Sequence, residues 1–304
     1  MSDNLVGLVI RSQSGFYTVQ TDSGQYTCRL RGKLLQGKRL GDVIAVGDSV
    51  SIQPSDGGRG IIHEIAPRQR MFSRLAPRPK GAYQQILIAN LDQAVLVFSC
   101  ALPEPRFGML DRFLVITEKQ AVPALILANK VDLVGEVKAM DMFKPYIKLG
   151  YPVVFASART GLGIQDLRLQ ISKKISLFTG PSGVGKTSLL NALQPGLGLA
   201  VRRVSEATPK GRHTTVVREM FPLEEGGYVA DTPGLKALAL WDVEAEELDG
   251  YFLELRPLVK GCQFNDCTHV HEPGCAVMKA VQEGEVHPER YQSYLRMRFG
   301  ESDQ

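Results

Sequence analysis

The run Gly180-Pro181-Ser182-Gly183-Val184-Gly185-Lys186-Thr187, followed by Ser188, constrains the fold more than any other part of the chain. It has the form G-x-x-x-x-G-K-T and lies between an apolar strand pattern, Ile175–Phe178, and a stretch with helical spacing. Glycines at these positions let backbone N–H groups turn inward around phosphate oxygens, at a helix N-terminus that already favours negative charge. In such a loop Lys186 reaches the β- and γ-phosphates, and the Thr187 hydroxyl ligates Mg²⁺. A strand–loop–helix unit of this kind needs a parallel sheet around it. Strand patterns at Ala94–Ser99, Ala124–Ala128, Val153–Phe155 and Ile175–Phe178 alternate with helical patterns over Phe107–Lys119, Met140–Leu149 and Gly163–Ser172. That alternation predicts a sheet covered by helices on both faces.

A phosphate cradle does not choose a base. Asn129-Lys130-Val131-Asp132, directly after a buried strand, has the N-K-x-D form that does. The Asp132 carboxylate accepts hydrogen bonds from guanine N1–H and the 2-amino group. Adenine offers neither, and leaving the carboxylate unpaired costs about 1–3 kcal/mol. An ATPase is therefore disfavoured. Asn129 is placed to tether neighbouring loops, the Lys130 stem to lie over the base, and the backbone at Ser157-Ala158 to face guanine O6. Asp231-Thr232-Pro233-Gly234 follows the strand Tyr228–Ala230, with Asp231 expected to hold Mg²⁺ through water and the Gly234 N–H to sense the γ-phosphate. Between the two lies Gly211-Arg212-His213-Thr214-Thr215, where a first switch loop belongs; Thr215, or Thr214 beside it, is the expected Mg²⁺ ligand. Leu235 stands where a water-orienting glutamine would be useful, and its side chain cannot polarise water. His213 is the nearest candidate for that task, because a neutral imidazole can accept a proton or position the water.

The order of these motifs is itself informative. The base-reading segments precede the phosphate loop, the reverse of an ordinary G domain, so the domain is expected to be circularly permuted. Termini that lie close together let the same sheet form after such a permutation. The second switch then runs directly into the C-terminal segment, so movement at Gly234 is expected to reach that segment.

Outside this domain the patterns differ. Five short strands, Leu5–Arg11, Phe16–Thr21, Gln25–Leu30, Ser49–Gln53 and Gly60–Ile65, are separated by Gly-rich turns and predict a small OB-fold barrel. Residues 1–85 carry twelve Lys and Arg against six Asp and Glu, in a chain whose net charge is only +4, which points to a polyanionic partner. Phe16, Tyr17 and Tyr26 sit among Arg11, Arg29 and Arg31, a mixture suited to RNA, although the same aromatics could fill the barrel core. Pro67–Ala82, with three prolines, reads as an exposed connector. The expected fold class is thus α/β, with four segments: an OB-fold RNA-binding domain at 1–66, a linker at 67–85, a permuted P-loop GTPase domain at 86–239 and a zinc-binding helical domain at 240–304.

The last of these rests on cysteine spacing. Cys262, Cys267 and Cys275, with His269 or His271 between them, offer three thiolates and one imidazole, a closed tetrahedral shell for structural zinc. Cys28 and Cys100 stand alone and read as small buried residues. Five cysteines do not form a disulfide framework, the apolar runs are too short to span a bilayer, and no secretory leader is visible. A soluble protein of the reducing cytoplasm, without membrane contact and monomeric, is the expectation.

The permuted motifs, Gly211–Thr215, the Cys/His segment with Glu272-Pro273-Gly274-Cys275-Ala276-Val277, and Arg290-Tyr291-Gln292-Ser293-Tyr294 together resemble the circularly permuted ribosome small subunit-dependent GTPase A family (RsgA/YjeQ). The resemblance spans nearly the full length. It implies GTP hydrolysis to GDP and phosphate late in maturation of the 30S subunit, contact with its rRNA, stimulation of turnover by that subunit, and His269 rather than His271 as the zinc ligand. Thr187 departs from the serine usual there but keeps the hydroxyl, and Val216 interrupts a longer threonine run. The competing expectation is an RNA-binding assembly module whose nucleotide is largely structural.

Overall fold

The structure is a computed structural model, and it describes residues 4–35, 41–76, 83–197, 218–231 and 243–300. At the N-terminal end, β1 (Leu5–Gln13), β2 (Phe16–Thr21), β3 (Gly24–Leu30), β4 (Ser49–Ser55) and β5 (Arg59–Ile65) pair in the order β1-β2-β3-β5-β4. A further antiparallel pairing of β1 with β4 closes them into a five-stranded barrel, as the strand pattern predicts. Alternate residues point inward: Val9, Val19, Cys28, Val50, Ile52 and Ile62 form the barrel core. Gly7 is required where β1 crosses β2, since a Cβ there would stand 2.6 Å from the Gln20 carbonyl oxygen.

The stretch read as a connector is partly ordered strand. Here β6 (Met71–Ala76) pairs antiparallel with β7 (Tyr83–Ala89) in a separate two-stranded sheet. Phe72 is fully buried and packs into the main core beside Ile88. Arg68 clamps the barrel to this region, donating from Nε to Asp48 Oδ1 (2.7 Å) and from one terminal nitrogen to Asp48 Oδ2 (2.8 Å) and the Val43 carbonyl (2.9 Å).

The central sheet contains β8 (Gln93–Ser99), β9 (Ala124–Asn129), β10 (Val153–Phe155), β11 (Ile175–Thr179), β12 (Arg218–Pro222) and β13 (Tyr228–Asp231), with spatial order β10-β9-β8-β11-β13-β12. All neighbours are parallel except β12 and β13. The period of two in β8 divides its side chains between two cores. Ala94, Leu96 and Phe98 meet α1 (Phe107–Lys119) and α2 (Glu136–Lys148), while Val95 and Val97 meet α3 (Ile164–Ile171) and α4 (Lys186–Leu193). The domain is doubly wound, as expected. Helix α2 begins a turn earlier than the apolar spacing indicates, immediately after Gly135, whose φ of 84° favours glycine.

β12 also pairs antiparallel with β1, through Arg11↔Glu219 and Ser12↔Arg218, so barrel and central domain share one eleven-stranded sheet. The C-terminal residues 243–300 hold α5 (Ala276–Gln282) and α6 (Pro288–Arg298), with 3₁₀ turns at Ala245–Tyr251 and Val259–Gly261 and irregular chain between. Leu248, Phe252, Leu255, Val277, Val286 and Tyr294 form their own core. Among the described residues no helix is long and apolar enough to cross a membrane.

Candidate nucleotide pocket and metal centre

The chain runs from β8 outward to β9 and β10, then returns to place β11 on the other side of β8. In doubly wound sheets the crevice at such a reversal, outside the carboxyl ends of the strands, is where ligands bind. The Gly180–Thr187 loop leaves β11 at that point. Its glycines are sterically necessary: a Cβ on Gly180 (φ 145°) would lie 2.1 Å from the Val97 carbonyl oxygen, and one on Gly185 (φ 97°) 2.5 Å from Asn129 Nδ2.

Asn129 ends β9 and is almost fully buried. Its Nδ2 donates to the Val184 carbonyl in the phosphate loop (2.7 Å), and its Oδ1 accepts from the Ala158 N–H (3.3 Å). One side chain thus ties together three segments that the sequence separates. Lys130 adopts a left-handed backbone (φ 63°) and donates from Nζ to the Gly183 carbonyl (2.8 Å) and to the Leu102 carbonyl. Burial lowers its pKa. Lys186 Nζ donates to the carbonyls of Gly180 and Pro181, both at 2.8 Å, so the ammonium is held over the loop mouth. Thr187 lies in the first turn of α4, and Ser182 and Ser188 are exposed.

Asp132 follows on a short turn after β9 and its side chain is mostly covered, with 11% exposed. The Ser157 hydroxyl donates to Oδ1 at 2.5 Å, and an Arg159 guanidinium nitrogen lies 2.5 Å from Oδ2. The Ser157 hydrogen bond first, then the Arg159 charge, hold this carboxyl below the usual range against the opposing effect of burial. Arg159 carries no part in the sequence expectations, although its position beside Ala158 was a signal. Asp231 closes β13 in register with Phe178, which brings its backbone next to the strand feeding the phosphate loop. His213, Thr214, Thr215 and Gly234 lie outside the described residues.

The second site is the cysteine cluster. Ligand atoms of Cys262, Cys267, His269 and Cys275 all lie within 4.8 Å of one another. Sulfurs bound to one tetrahedral zinc at about 2.3 Å stand about 3.8 Å apart. Cys262 Sγ and Cys275 Sγ are separated by 3.9 Å, and His269 Nδ1 lies 3.6 and 3.4 Å from them. The donor set fits zinc. His269 is fully buried whereas His271 is exposed. Its other nitrogen, Nε2, meets Asp249 Oδ2 at 3.0 Å, the carboxylate partner that orients a metal-binding imidazole. Asp249 was not expected, being twenty residues upstream. Tyr291 and Tyr294 donate to the carbonyls of His269 (2.5 Å) and Thr268 (3.1 Å), fastening the ligand loop to α6. Burial pushes the Cys267 thiol up to about 12 and raises that of Cys275 as well. Without a cation beside them these groups are neutral.

On the barrel, Phe16 is exposed at 42% and the Arg29 guanidinium sits 4.4 Å from its ring centre. A shallow cavity of about 410 Å³ adjoins it, lined by Arg11, Gln13, Ser14, Thr18 and Thr27. Tyr17 and Tyr26 instead pack against the barrel core. Cys28 and Cys100 are buried.

Residues 65–241 match the RsgA GTPase family and residues 6–62 the RsgA N-terminal domain family. The chain belongs to the RsgA GTPase family. Among RsgA relatives, the small ribosomal subunit biogenesis GTPase of Gemmatimonas aurantiaca is 44% identical over 98% of both chains. That of Bacteroides fragilis is 41% identical over 96% of this chain and 95% of its own. Among solved structures, YjeQ from Thermotoga maritima superposes with a TM-score of 0.79 at 37% identity, covering 98% of each chain. YloQ, described as a circularly permuted GTPase, superposes at 0.74 with 32% identity, over 98% of this chain and 95% of its own. The permuted order expected from the motifs is therefore the RsgA architecture.

Proposed function

We propose that this chain binds GTP with Mg²⁺ between β8 and β11, hydrolyses it to GDP and phosphate, and uses that cycle in biogenesis of the small ribosomal subunit. The observation that supports the reading is the Asn129 bridge, 2.7 Å to Val184 and 3.3 Å to Ala158, which holds the candidate base-reading and phosphate-binding segments side by side. Asp132 is the guanine-reading carboxylate, Lys130 lines the base, and the Ala158 backbone faces O6. Backbone N–H groups of residues 180–187, with Lys186, hold the phosphates. Thr187, Asp231 and a threonine of the first switch, Thr215 or Thr214, supply Mg²⁺ ligands, and the ion would neutralise charge on the phosphate oxygens. Gly234 senses the terminal phosphate. His213 positions the attacking water, since Leu235 has no polar atom for that task.

Cys262, Cys267, His269 and Cys275 would hold a structural zinc that supplies folding free energy to residues 243–300. The barrel, through Phe16, Arg29 and neighbouring cations, contacts rRNA, and the protein works in the cytoplasm as a monomer. The relatives' names, which state small-subunit biogenesis, support this reading of the partner. GTP turnover titrated with purified 30S subunits tests it: hydrolysis is expected to rise saturably with subunit concentration. A flat response would leave an RNA-binding module with structural nucleotide. His213→Ala is expected to lower turnover while GTP affinity stays constant; unchanged turnover rejects the water-positioning role.

A further inference from the structure

After β8 the chain folds back to meet Lys130. The Cys100 N–H donates to the Asn129 carbonyl at 2.8 Å, so β8 and β9 stay tied up to the point where the turn begins. Ser99 is almost fully buried, and its hydroxyl donates to the Pro103 carbonyl at 2.6 Å, closing residues 99–103 into a small loop. Within that loop Leu102 has a φ of 48°, a left-handed conformation that leucine rarely adopts, and its side chain is 74% exposed. Neither packing of the leucine nor its backbone preference therefore accounts for the shape of the loop. That shape brings the Leu102 carbonyl to Lys130, whose Nζ donates both to it and to the Gly183 carbonyl of the phosphate loop (2.8 Å).

We propose that Ser99 is a positioning residue for guanine-nucleotide binding: by pinning the Pro103 carbonyl it holds the 99–103 loop in the shape that presents the Leu102 carbonyl to Lys130, and so fixes the lysine stem. The proposal rests on Lys130 lining the base. A lysine side chain gives up much rotamer freedom when it is fixed, and a pocket that fixes it beforehand spares the ligand that cost. With Gly183 as its one remaining acceptor, the ammonium can swivel and the stem loses its place. A neutral hydrogen bond sets the scale, so Ser99→Ala is expected to weaken GDP binding roughly two- to tenfold. Ser99→Thr, which keeps the hydroxyl, should recover most of that loss.

Displacement of a fluorescent GDP analogue by GDP, measured on the full-length protein, completes a cycle with Lys130→Met, which keeps an apolar stem but has no ammonium. If Ser99 acts through Lys130, Ser99→Ala costs nothing further in the Lys130→Met background. A general loosening of the fold would instead weaken binding equally in both backgrounds. That result overturns the proposal, and so does unchanged affinity in Ser99→Ala alone. Equal weakening would leave Pro103 acting directly on the phosphate loop, where its Cδ lies 3.6 Å from the place of a Cβ on Gly183. Threonine as weak as alanine would also overturn it, since the hydroxyl would then not be what matters. Lys130→Met that binds GDP as tightly as the wild type would sink the reading of Lys130 itself, whatever Ser99→Ala does.

Discussion

The barrel joins the central domain edge to edge through β1 and β12, whereas the C-terminal module is packed onto α1 through a buried arginine. At the first junction the contacts are a backbone ladder and partly exposed charge. Arg218, the first residue of β12, places one guanidinium nitrogen 3.2 Å from Asp42 Oδ2 and 2.9 Å from the Ile86 carbonyl, and both side chains of the pair keep about a fifth of their surface. At the second junction Arg290 of α6 reaches Asp111 of α1 at 2.6 Å and takes Glu254 in a fork at 2.7 and 3.0 Å. Tyr146 donates to the same Asp111 oxygen (2.8 Å), and Phe252 covers the guanidinium at 4.7 Å. None of the three charged side chains is more than 6% exposed. A sheet edge beside water tolerates small adjustments at little cost, but a dry ion triad is held together or lost as a unit. The difference teaches that the two modules are coupled to the nucleotide domain with different stiffness. The barrel is joined to β12, the strand that follows the proposed first switch segment, and the C-terminal module is fixed to α1 through the buried triad.

The largest effect should come from the metal. Stripping zinc with a chelator, or replacing Cys275 by Ser, removes a closed shell whose binding in small domains is worth on the order of 10 kcal/mol. Thermal unfolding of the full chain should show an early transition for residues 243–300, and atomic absorption should find one zinc lost per chain. Rebinding in weak buffer near pH 7 should release protons, because Cys267 and Cys275 are neutral thiols in the metal-free protein and become thiolates on the metal. Unfolding that ignores zinc would remove the stiff half of the comparison.

Next in size is Arg290→Met. It strands Asp111 and Glu254 in the dry interface, and uncompensated buried charge costs about 3–5 kcal/mol, measurable as a fall in urea midpoint. Adding Asp111→Asn and Glu254→Gln should restore part of the loss, since no charge is then left unpaired. If the triple variant is no better than the single one, packing of the arginine stem rather than charge holds the junction.

Much of the candidate pocket was legible because phosphate and guanine each demand particular residue types at particular spacing. That spacing singled out Gly180, Gly185, Asn129 and Asp132, which the structure brings near the carboxyl ends of β9 and β11, and the order of the segments predicted the permutation. What stayed hidden depends on contacts between distant residues. Arg290 reads as one of several basic residues in a helix; its burial is decided by Asp111, 179 positions away, and Glu254, 36 positions away. Asp249 carries no local pattern linking it to His269. The strand at Met71–Ala76 was obscured by its neighbouring prolines, and part of what holds it is remote, the Ser73 N–H donating to Gln120 Oε1 at 2.8 Å. Arg159 was adjacent to a recognised segment, but only the coordinates show its guanidinium on Asp132.

The smallest effect should come from Arg218→Ala at the barrel junction. Removing the guanidinium does not orphan Asp42, because the Tyr83 hydroxyl (2.8 Å) and the Ile86 N–H (3.0 Å) continue to donate to it. The β1–β12 register, set by backbone pairing, is also retained. A loss of about 1 kcal/mol in urea unfolding is expected, typical of a partly exposed ion pair with a carbonyl contact. Hydrogen exchange supplies the sharper readout. Amides of β1 should exchange somewhat faster in the variant than in the wild type, while amides of α6, at the other junction, should be unaffected by the substitution. A loss as large as that of Arg290→Met, or faster exchange in α6 but not in β1, would reverse the assignment of stiff and compliant junctions.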